Sequence, residues 1–567
     1  MKLVIAEKPS VAMSIAKVIG ANKRCDGYVE GNGYIVSWCV GHLIQMASPD
    51  KYDKKYKRWN ISDLPIIPES YKYELNNYTK KQYMVLKKLL TDKRVTETVN
   101  ACDAGREGEL IFRLVYEQAK CKKPIKRLWI SSMEDSAIKE GFENLKDGKG
   151  YENLYASALA RGQADWLIGM NLSRFYSCTH DKNYSVGRVQ TPTLSMIVDR
   201  DSEIKNFKKQ KYFTVDIESF GMTLSTARID IEDEAKTLLL DIPEAVEVTD
   251  VESKEKITRP DKLYDLTTLQ RECNKYFGYS AKQTLDYAQS LYEKKLITYP
   301  RTDSRYITDD MVRTVEKYVD SFGDDKDEKN FKSLFDSSKV TDHHAIIPTM
   351  QSLHFNTGTL QKSEEKVFEL IKVKLLAARS GNLVTENTKV TVEVEGHKFI
   401  ATGMVVADPG YTKYLTSFVK KKEDKFLPKV EKGEKLKVNK KSIKEKYTKP
   451  PKPYTEDSLL KAMEIAGSKD IGDVEVERKG LGTPATRAGI IENLIKKELI
   501  KRDGKKLVAT NKGIDLVNIV ADFVKSPKTT ADWEMKLYDI SEGKADSNAF
   551  IGEIEESIKK VLSGEGM

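Results

Sequence analysis

Tyr299 lies in the run Ile297-Thr298-Tyr299-Pro300-Arg301-Thr302-Asp303-Ser304, and far upstream stands an acidic run, Asp103-Ala104-Gly105-Arg106-Glu107-Gly108-Glu109. A tyrosine beside an arginine, joined to a separate carboxylate site able to hold a divalent ion, is the equipment that phosphodiester transesterification requires. Phenols have a reference pKa of about 10, so they attack poorly at neutral pH unless a base, a cation or a metal ion favours the phenolate. Arg301 supplies such a cation. It can also grip a phosphate through two parallel charge-assisted hydrogen bonds, which sets the phosphorus in line for attack. The chain has 27 tyrosines, so Tyr299 alone would read as packing; the acidic run changes that balance.

The elements that must position these groups are legible nearby. Residues 95–102 read as a short strand and 109–117 as the helix after it, which puts Asp103 at the carboxyl end of a strand and Glu107 near the start of a helix. The N-terminus repeats the pattern. Residues 2–6 form an apolar strand, Pro9-Ser10-Val11-Ala12-Met13 opens a helix with proline in its first turn, and Glu7 and Lys8 occupy the turn between. Ligands of open parallel sheets bind beyond the carboxyl ends of the strands, so Glu7, Asp103 and Glu107 are expected to converge there. Such an oxygen-rich set suits magnesium. One acidic turn at a helix start is explained by the helix dipole alone; two matching turns point to a site.

The runs Glu7-Lys8-Pro9-Ser10, Asp103 to Glu109, Ser185-Val186-Gly187-Arg188-Val189-Gln190-Thr191-Pro192-Thr193-Leu194, Ile297 to Ser304, His343-His344-Ala345-Ile346-Ile347-Pro348-Thr349 and Gly482-Thr483-Pro484-Ala485-Thr486-Arg487 together resemble the type IA DNA topoisomerases. They occur in that family's order over nearly the whole chain, and two of them are most similar to its bacterial topoisomerase III branch. The resemblance implies that Tyr299 becomes linked to the 5′ phosphate of a cut strand and that Arg301 positions the scissile phosphate. It implies that Glu7 acts in proton transfer or metal binding beside that phosphate. Lys8 neutralises the phosphate or protonates the leaving 3′ oxygen, and His343 holds a phosphate near the tyrosine. Asp103 and Glu107, with Glu7, match the magnesium positions of the toprim fold, for one or two ions. In the usual motif, Asp-x-Asp-x-Glu, an aspartate stands where this chain has Gly105, so one carboxylate is missing.

A single-strand groove is expected from Arg161, Asp165, Gly169, Ser173, Arg174 and Tyr176, which recur at roughly helical spacing together with Asn171, with Trp166 among them read as core. Arginines track phosphates, aromatics stack on bases and glycine admits a close backbone. Ser185, Val186, Gly187, Arg188, Val189 and Gln190 form a stronger candidate for cradling the strand, and Arg58 and Trp59 add a contact. The function implied is a magnesium-dependent, ATP-independent topoisomerase that relaxes negative supercoils or decatenates DNA at a single-stranded segment. The competing readings are a catalytically silenced single-strand-binding protein, suggested by Gly105, and another toprim enzyme such as a nuclease, which would not need Tyr299-Pro300-Arg301.

Composition is consistent with this. A length of 567 residues allows about three to four domains. The net charge of +9, from 95 basic and 86 acidic residues, favours polyanions only modestly, and the lysine-rich stretch 420–449 reads as a solvated hairpin and linker rather than a DNA surface. The cysteines at 25, 39, 102, 121, 178 and 273 form no Cys-x-x-Cys pair, so no zinc site is expected. No phosphate-binding Gly-x-x-x-x-Gly-Lys-[Ser/Thr] loop is present, so no ATP is expected. No signal peptide or membrane span is read, which points to a cytoplasmic, nucleoid-associated protein.

The expected fold is α/β plus helical and β-rich domains, a multidomain type IA toroid with an N-terminal toprim domain. Residues 1–145 form the toprim domain, with an insertion at about 31–64 joining the DNA-binding base. Residues 146–210 and 451–567 form the two parts of that helical base, and 211–262 and 384–450 the two parts of a β-rich arch. Residues 263–383 form the helical domain carrying the catalytic tyrosine. By the same family analogy the protein acts as a monomer, with a helicase or single-strand-binding protein as partner.

Overall fold

The alternation within the first strand decides how the N-terminal region packs. Successive side chains of a strand face opposite sides, and Leu3, Val4, Ile5 and Ala6 are all fully buried. Leu3 and Ile5 enter a core with Leu86, Leu110 and Phe112, whereas Val4 and Ala6 enter another with Val11, Ile15 and Val99. A strand buried on both faces belongs inside a helix-covered sheet. In the computed structural model, which describes residues 1–130, 133, 135–323, 326–340, 343–419, 424–467 and 480–565, Lys2–Ala6 is the middle strand of a seven-stranded sheet. It runs parallel to Tyr34–Trp38 on one side and Glu97–Ala101 on the other.

This corrects the expectation that residues 31–64 leave the sheet as an insertion. Tyr34–Trp38 is a sheet strand whose Ile35, Val36 and Ser37 are fully buried; its β-branched residues pack on both faces, as a central strand demands. The excursion toward the base comes later, through three short 3-10 turns between Pro49 and Asp63. It is tied down where the fully buried Asn171 accepts from Ile66 N at 2.6 Å and donates to Ile66 O at 3.0 Å.

A second seven-stranded sheet draws on two remote stretches, with strands Lys211–Ser219, Met222–Thr226 and Ala245–Thr258 joined by Leu383–Val394, His397–Asp408, Lys435–Lys437 and Lys440–Tyr447. The first stretch also contains a helix, Glu232–Asp241, whose Ala235 and Leu238 complete the core of this sheet. Of the lysine-rich stretch, residues 420–423 lie outside the described residues, and the two strands within the remainder are the edges of the sheet, where lysines protect unpaired backbone from aggregation.

Ala245–Thr258 and Leu383–Val394 pair antiparallel up to Thr258 opposite Leu383, so residues 259–382 hang from the end of a two-stranded ribbon. Within that segment helices Leu266–Phe277 and Ala281–Glu293 pack around Leu269, Leu285, Leu291 and Ile297. The second helix starts with a reciprocal cap, Ser280 accepting from Gln283 N at 3.1 Å while the Gln283 side chain accepts from Ser280 N at 2.9 Å. The remaining body is helical apart from a small hairpin, Ile500–Asp503 with Lys506–Ala509. Helix Glu152–His180 shares one core with helices Gln190–Lys205, Glu456–Ile465, Pro484–Lys496, Pro527–Ser541 and Ser547–Ser563. Among the described residues no helix is long and apolar enough to cross a membrane.

Candidate active site

The turn after the first strand meets the tyrosine-bearing body directly. Lys8 Nζ donates to the Tyr299 hydroxyl oxygen at 2.8 Å, lies 3.3 Å from Asp103 Oδ2 and 3.1 Å from Glu7 Oε1, and sits 4.5 Å from the Tyr299 ring centroid. Burial works against the Lys8 charge, but Asp103 and Glu7 more than offset it, so the ammonium is held firmly protonated. A charge-assisted donor on the phenol oxygen steadies negative charge there, both when the proton leaves and when the phenolate departs. His343 completes the cluster. Its ring centroid is 4.4 Å from that of Tyr299 and its Nε2 is 3.6 Å from Asp103 Oδ2. The segment after His343 is tied to the tyrosine segment, because Thr298 N donates to Ile347 O and Ile347 N to Thr298 Oγ1, both at 2.9 Å. Arg301 is exposed and makes no hydrogen bond or ion pair among the described residues, which leaves its fork open toward solvent.

Asp103 is held by an apparatus that the sequence reading did not identify. The fully buried Arg127 donates to the carbonyl oxygens of Asn100, Cys102 and Asp103 at 3.1, 2.8 and 2.6 Å, and its Nε lies 3.2 Å from Glu109 Oε2. The turn is thus pinned from behind by a charge that is itself paired. Gly108 closes it from the other side. A Cβ there would stand 2.1 Å from Asp103 O, so the helix Arg106–Gln118 approaches the turn only because residue 108 has no side chain. Gly108→Ala is expected to displace Asp103, lowering the urea midpoint of this region by the equivalent of about 3 kcal/mol and removing cleavage activity with it.

Carboxyl chemistry in the cluster is uneven. Burial, and then the Asp103 charge, push the Glu7 carboxyl up, whereas Asp103, although burial opposes it, is held well below the usual carboxylate range by His343 and Lys8. Two hard oxygen donors that crowd each other fit a divalent cation. Glu107 is turned aside. Its Oε1 lies 3.0 Å from Arg161 Nη1 and its Oε2 3.4 Å from His42 Nε2, and among the described residues no three His, Cys, Asp or Glu side chains are grouped to hold a metal. The donors are chemically right for magnesium; Lys8 occupies the space between two of them, and Glu107 must turn to join.

Of the expected groove residues, Arg161 and Asp165 line a cavity of about 340 Å³ with Glu107, His42, Gly162 and Trp166. Gly169 is open, with only Val186 O 3.8 Å from where a Cβ would be, and Arg58 and Trp59 are exposed. The run Ser185 to Gln190 is only partly accessible. Ser185 accepts from Gln190 Nε2 at 3.0 Å, Gln190 accepts from Asn493 at 3.0 Å, and Gly187 N donates to Thr191 Oγ1 at 3.1 Å. Val189 packs against the core and Val186 is buried, its N–H bonded to Ser173 Oγ at 2.9 Å.

Four expectations are corrected. Ser173 is buried and its hydroxyl accepts from Val186 N at 2.9 Å, so it ties the long helix to the run after it rather than facing a strand. Tyr176 is fully buried and its hydroxyl accepts from Ala521 N at 2.9 Å, so it belongs to the base core rather than the groove. Arg174 is 4% exposed, donating to Tyr56 O at 2.9 Å with Trp59 over its guanidinium; it braces the excursion instead of facing a strand. Arg188 is also buried. It pairs with Asp165 at 2.8 Å and with Glu534 at 2.7 Å, because helix Pro527–Ser541 covers that face of the long helix. Glu534 was absent from the sequence reading, since nothing in Asp532-Trp533-Glu534-Met535 distinguishes it from a surface glutamate. Burial opposes its charge, and Arg188, Arg161 and Arg106 more than offset that, holding its carboxyl well below the usual range.

The matches to known proteins agree with this arrangement. A family model described as DNA topoisomerase matches residues 149–552 and a Toprim domain model matches residues 2–133. The chain is 42% identical to DNA topoisomerase 3 of Bacillus licheniformis, over 99% of this chain and 81% of that protein, and 41% identical to DNA topoisomerase 3 of Bacillus subtilis, over 97% and 80%. In fold it resembles full-length topoisomerase I from Thermotoga maritima, with a TM-score of 0.74 at 24% identity, covering 99% of this chain and 90% of that one.

Proposed function

From the chain's membership of the type IA DNA topoisomerases, a family that cuts and rejoins one DNA strand with magnesium and without ATP, we propose how its own residues divide that work. Tyr299 is the nucleophile: its oxygen forms the bond to phosphorus, and the bond from phosphorus to the 3′ oxygen breaks. Lys8 steadies the phenol oxygen and is placed to hand a proton to the departing 3′ oxygen. Glu7, whose carboxyl is pushed up, takes the phenol proton. Arg301 and His343 hold the phosphate between them. A magnesium ion held by Asp103 and Glu107 with Glu7 would ease the charge at that phosphate. Rejoining reverses these steps, and since one phosphodiester replaces another no external energy is needed.

The single observation that supports the assignment is the Lys8 ammonium within 2.8 Å of the Tyr299 oxygen and 3.3 Å of Asp103. These groups come from separate bodies of the fold, which suits a gate that opens while Tyr299 holds one DNA end. The other end must be held without a covalent bond. Arg161 and Asp165 along the cavity, together with Gly169, the partly accessible Ser185, Gly187 and Gln190 and the exposed Arg58 and Trp59, supply that grip.

Incubation with negatively supercoiled plasmid and magnesium, without ATP, tests the reading: stepwise relaxation is expected, and binding without relaxation would move the assignment to a silenced DNA-binding protein. Metal binding has its own test at Gly105. Its backbone there is extended, φ −172° and ψ 179°, in the capping position before helix Arg106–Gln118, a conformation that aspartate adopts freely and a position that it favours. Gly105→Asp is therefore expected to fold normally and to lower the magnesium needed for half-maximal cleavage by about threefold or more. An unchanged titration would show that the missing carboxylate is not what limits the metal.

A further inference from the structure

We propose that Glu534 is a positioning residue for strand cleavage, holding three arginines from three separate segments so that the toprim turn and the single-strand groove keep one relative placement. The inference rests on the assignment of Tyr299 as nucleophile. Glu534 is 4% exposed and lies 2.7 Å from Arg188 Nη1, 3.2 Å from Arg106 Nη2 and 3.8 Å from Arg161 Nε. Each arginine leads somewhere different. Arg106 is the first residue of the helix whose second residue is Glu107, Arg161 touches Glu107 at 3.0 Å, and Arg188 sits in the cradle run and pairs with Asp165.

The helix that carries Glu534 fixes Arg188 in two further ways. Thr530 Oγ1 donates to Arg188 O at 2.9 Å, and the Trp533 ring centroid lies 5.8 Å from its guanidinium. Among the described residues, these three guanidinium groups meet three carboxylates, of which Asp165 and Glu107 are about half exposed and border the cavity, while Glu534 is buried. Removing the Glu534 charge takes away the carboxylate that Arg106, Arg161 and Arg188 all approach, and buried guanidinium groups that lose a shared anion move apart. Arg161 would turn wholly to Glu107, and Arg106 and Arg188 would part.

Simple electrostatics and positioning predict opposite results. Deleting a carboxylate beside a DNA groove favours phosphate binding, whereas loss of placement slows chemistry without weakening the grip, since a misplacement of about 1 Å costs as much as a hundredfold in rate. The test uses the full chain as Glu534→Gln, measuring the affinity for a single-stranded oligonucleotide and the single-turnover cleavage rate, each corrected for the folded fraction. The expected result is cleavage slower by about tenfold to hundredfold with affinity equal or tighter. Unchanged cleavage, or cleavage and affinity falling in proportion, would overturn the proposal. Should Glu534→Gln not fold, Glu534→Asp keeps the charge and withdraws it by one methylene; slower cleavage at equal affinity supports the role and wild-type cleavage refutes it. A wild-type protein that forms no Tyr299 adduct would instead overturn the nucleophile assignment, and this inference with it.

Discussion

Tyr299→Phe is expected to abolish strand cleavage, by at least about four orders of magnitude, while single-stranded DNA binding stays within about twofold. The substitution removes one oxygen and little else. That oxygen's hydrogen bond is to Lys8, whose ammonium keeps Glu7 and Asp103 as partners at 3.1 and 3.3 Å. The ring keeps its contacts with Tyr292, 5.3 Å between centroids, and with His343. Losing one hydrogen bond of this kind costs about 1 kcal/mol of stability, too little to unfold the body. Loss of cleavage in a folded, DNA-binding variant therefore isolates the chemistry. Cleavage that persisted would mean water attacks at the acidic site, the behaviour of a nuclease, and Tyr299 would be demoted to packing.

Lys8→Gln carries the second large effect, and its signature differs. Removal of a single preorganised charge-stabilising donor typically lowers a rate by about 10²- to 10³-fold, and in the proposed mechanism Lys8 serves both the attacking oxygen and the leaving one. Its loss also leaves Glu7 and Asp103 facing each other without the intervening cation, so the Glu7 carboxyl moves further up. The vacated space suits a second cation. Cleavage by Lys8→Gln is accordingly expected to fall by about 10²-fold at low magnesium and to recover in part as magnesium is raised, where the wild-type rate is already saturated. Single-turnover cleavage across a magnesium series checks this, and a loss that magnesium leaves untouched would place the role of Lys8 on the leaving oxygen alone.

The toprim half of the candidate cluster was legible because its residues sit in strand-to-helix turns, where short sequence runs determine geometry. Glu7, Lys8 and Asp103 follow strands whose apolar patterns are unambiguous, and Tyr299 and His343 lie on neighbouring strand-like segments of one body. What joins the two sets is tertiary, and sequence carries no direct mark of it. The same limit explains the groove. Arg174, Tyr176 and Arg188 have the residue types that contact nucleic acid, yet the excursion 49–63 covers Arg174 and the C-terminal helices cover the other two, burial that no local pattern could report. Arg127 and Glu534 were missed for the converse reason, since a charged residue is ordinarily solvated and nothing along the chain shows that these two find buried partners. The strand Tyr34–Trp38 reads as part of an insertion because its aromatic ends and the Trp, Tyr, Lys and Arg that follow outweigh its central Ile-Val pair.

The most direct measurement is the site and polarity of the covalent link. The protein is incubated with an end-labelled single-stranded oligonucleotide and magnesium without ATP, denatured, digested, and the DNA-bearing peptide sequenced by mass spectrometry. The account predicts one peptide, with the phenol oxygen of Tyr299 joined to the 5′ phosphate of the broken strand. A link through another residue, a link to the 3′ phosphate, or cleavage with no link at all would contradict it.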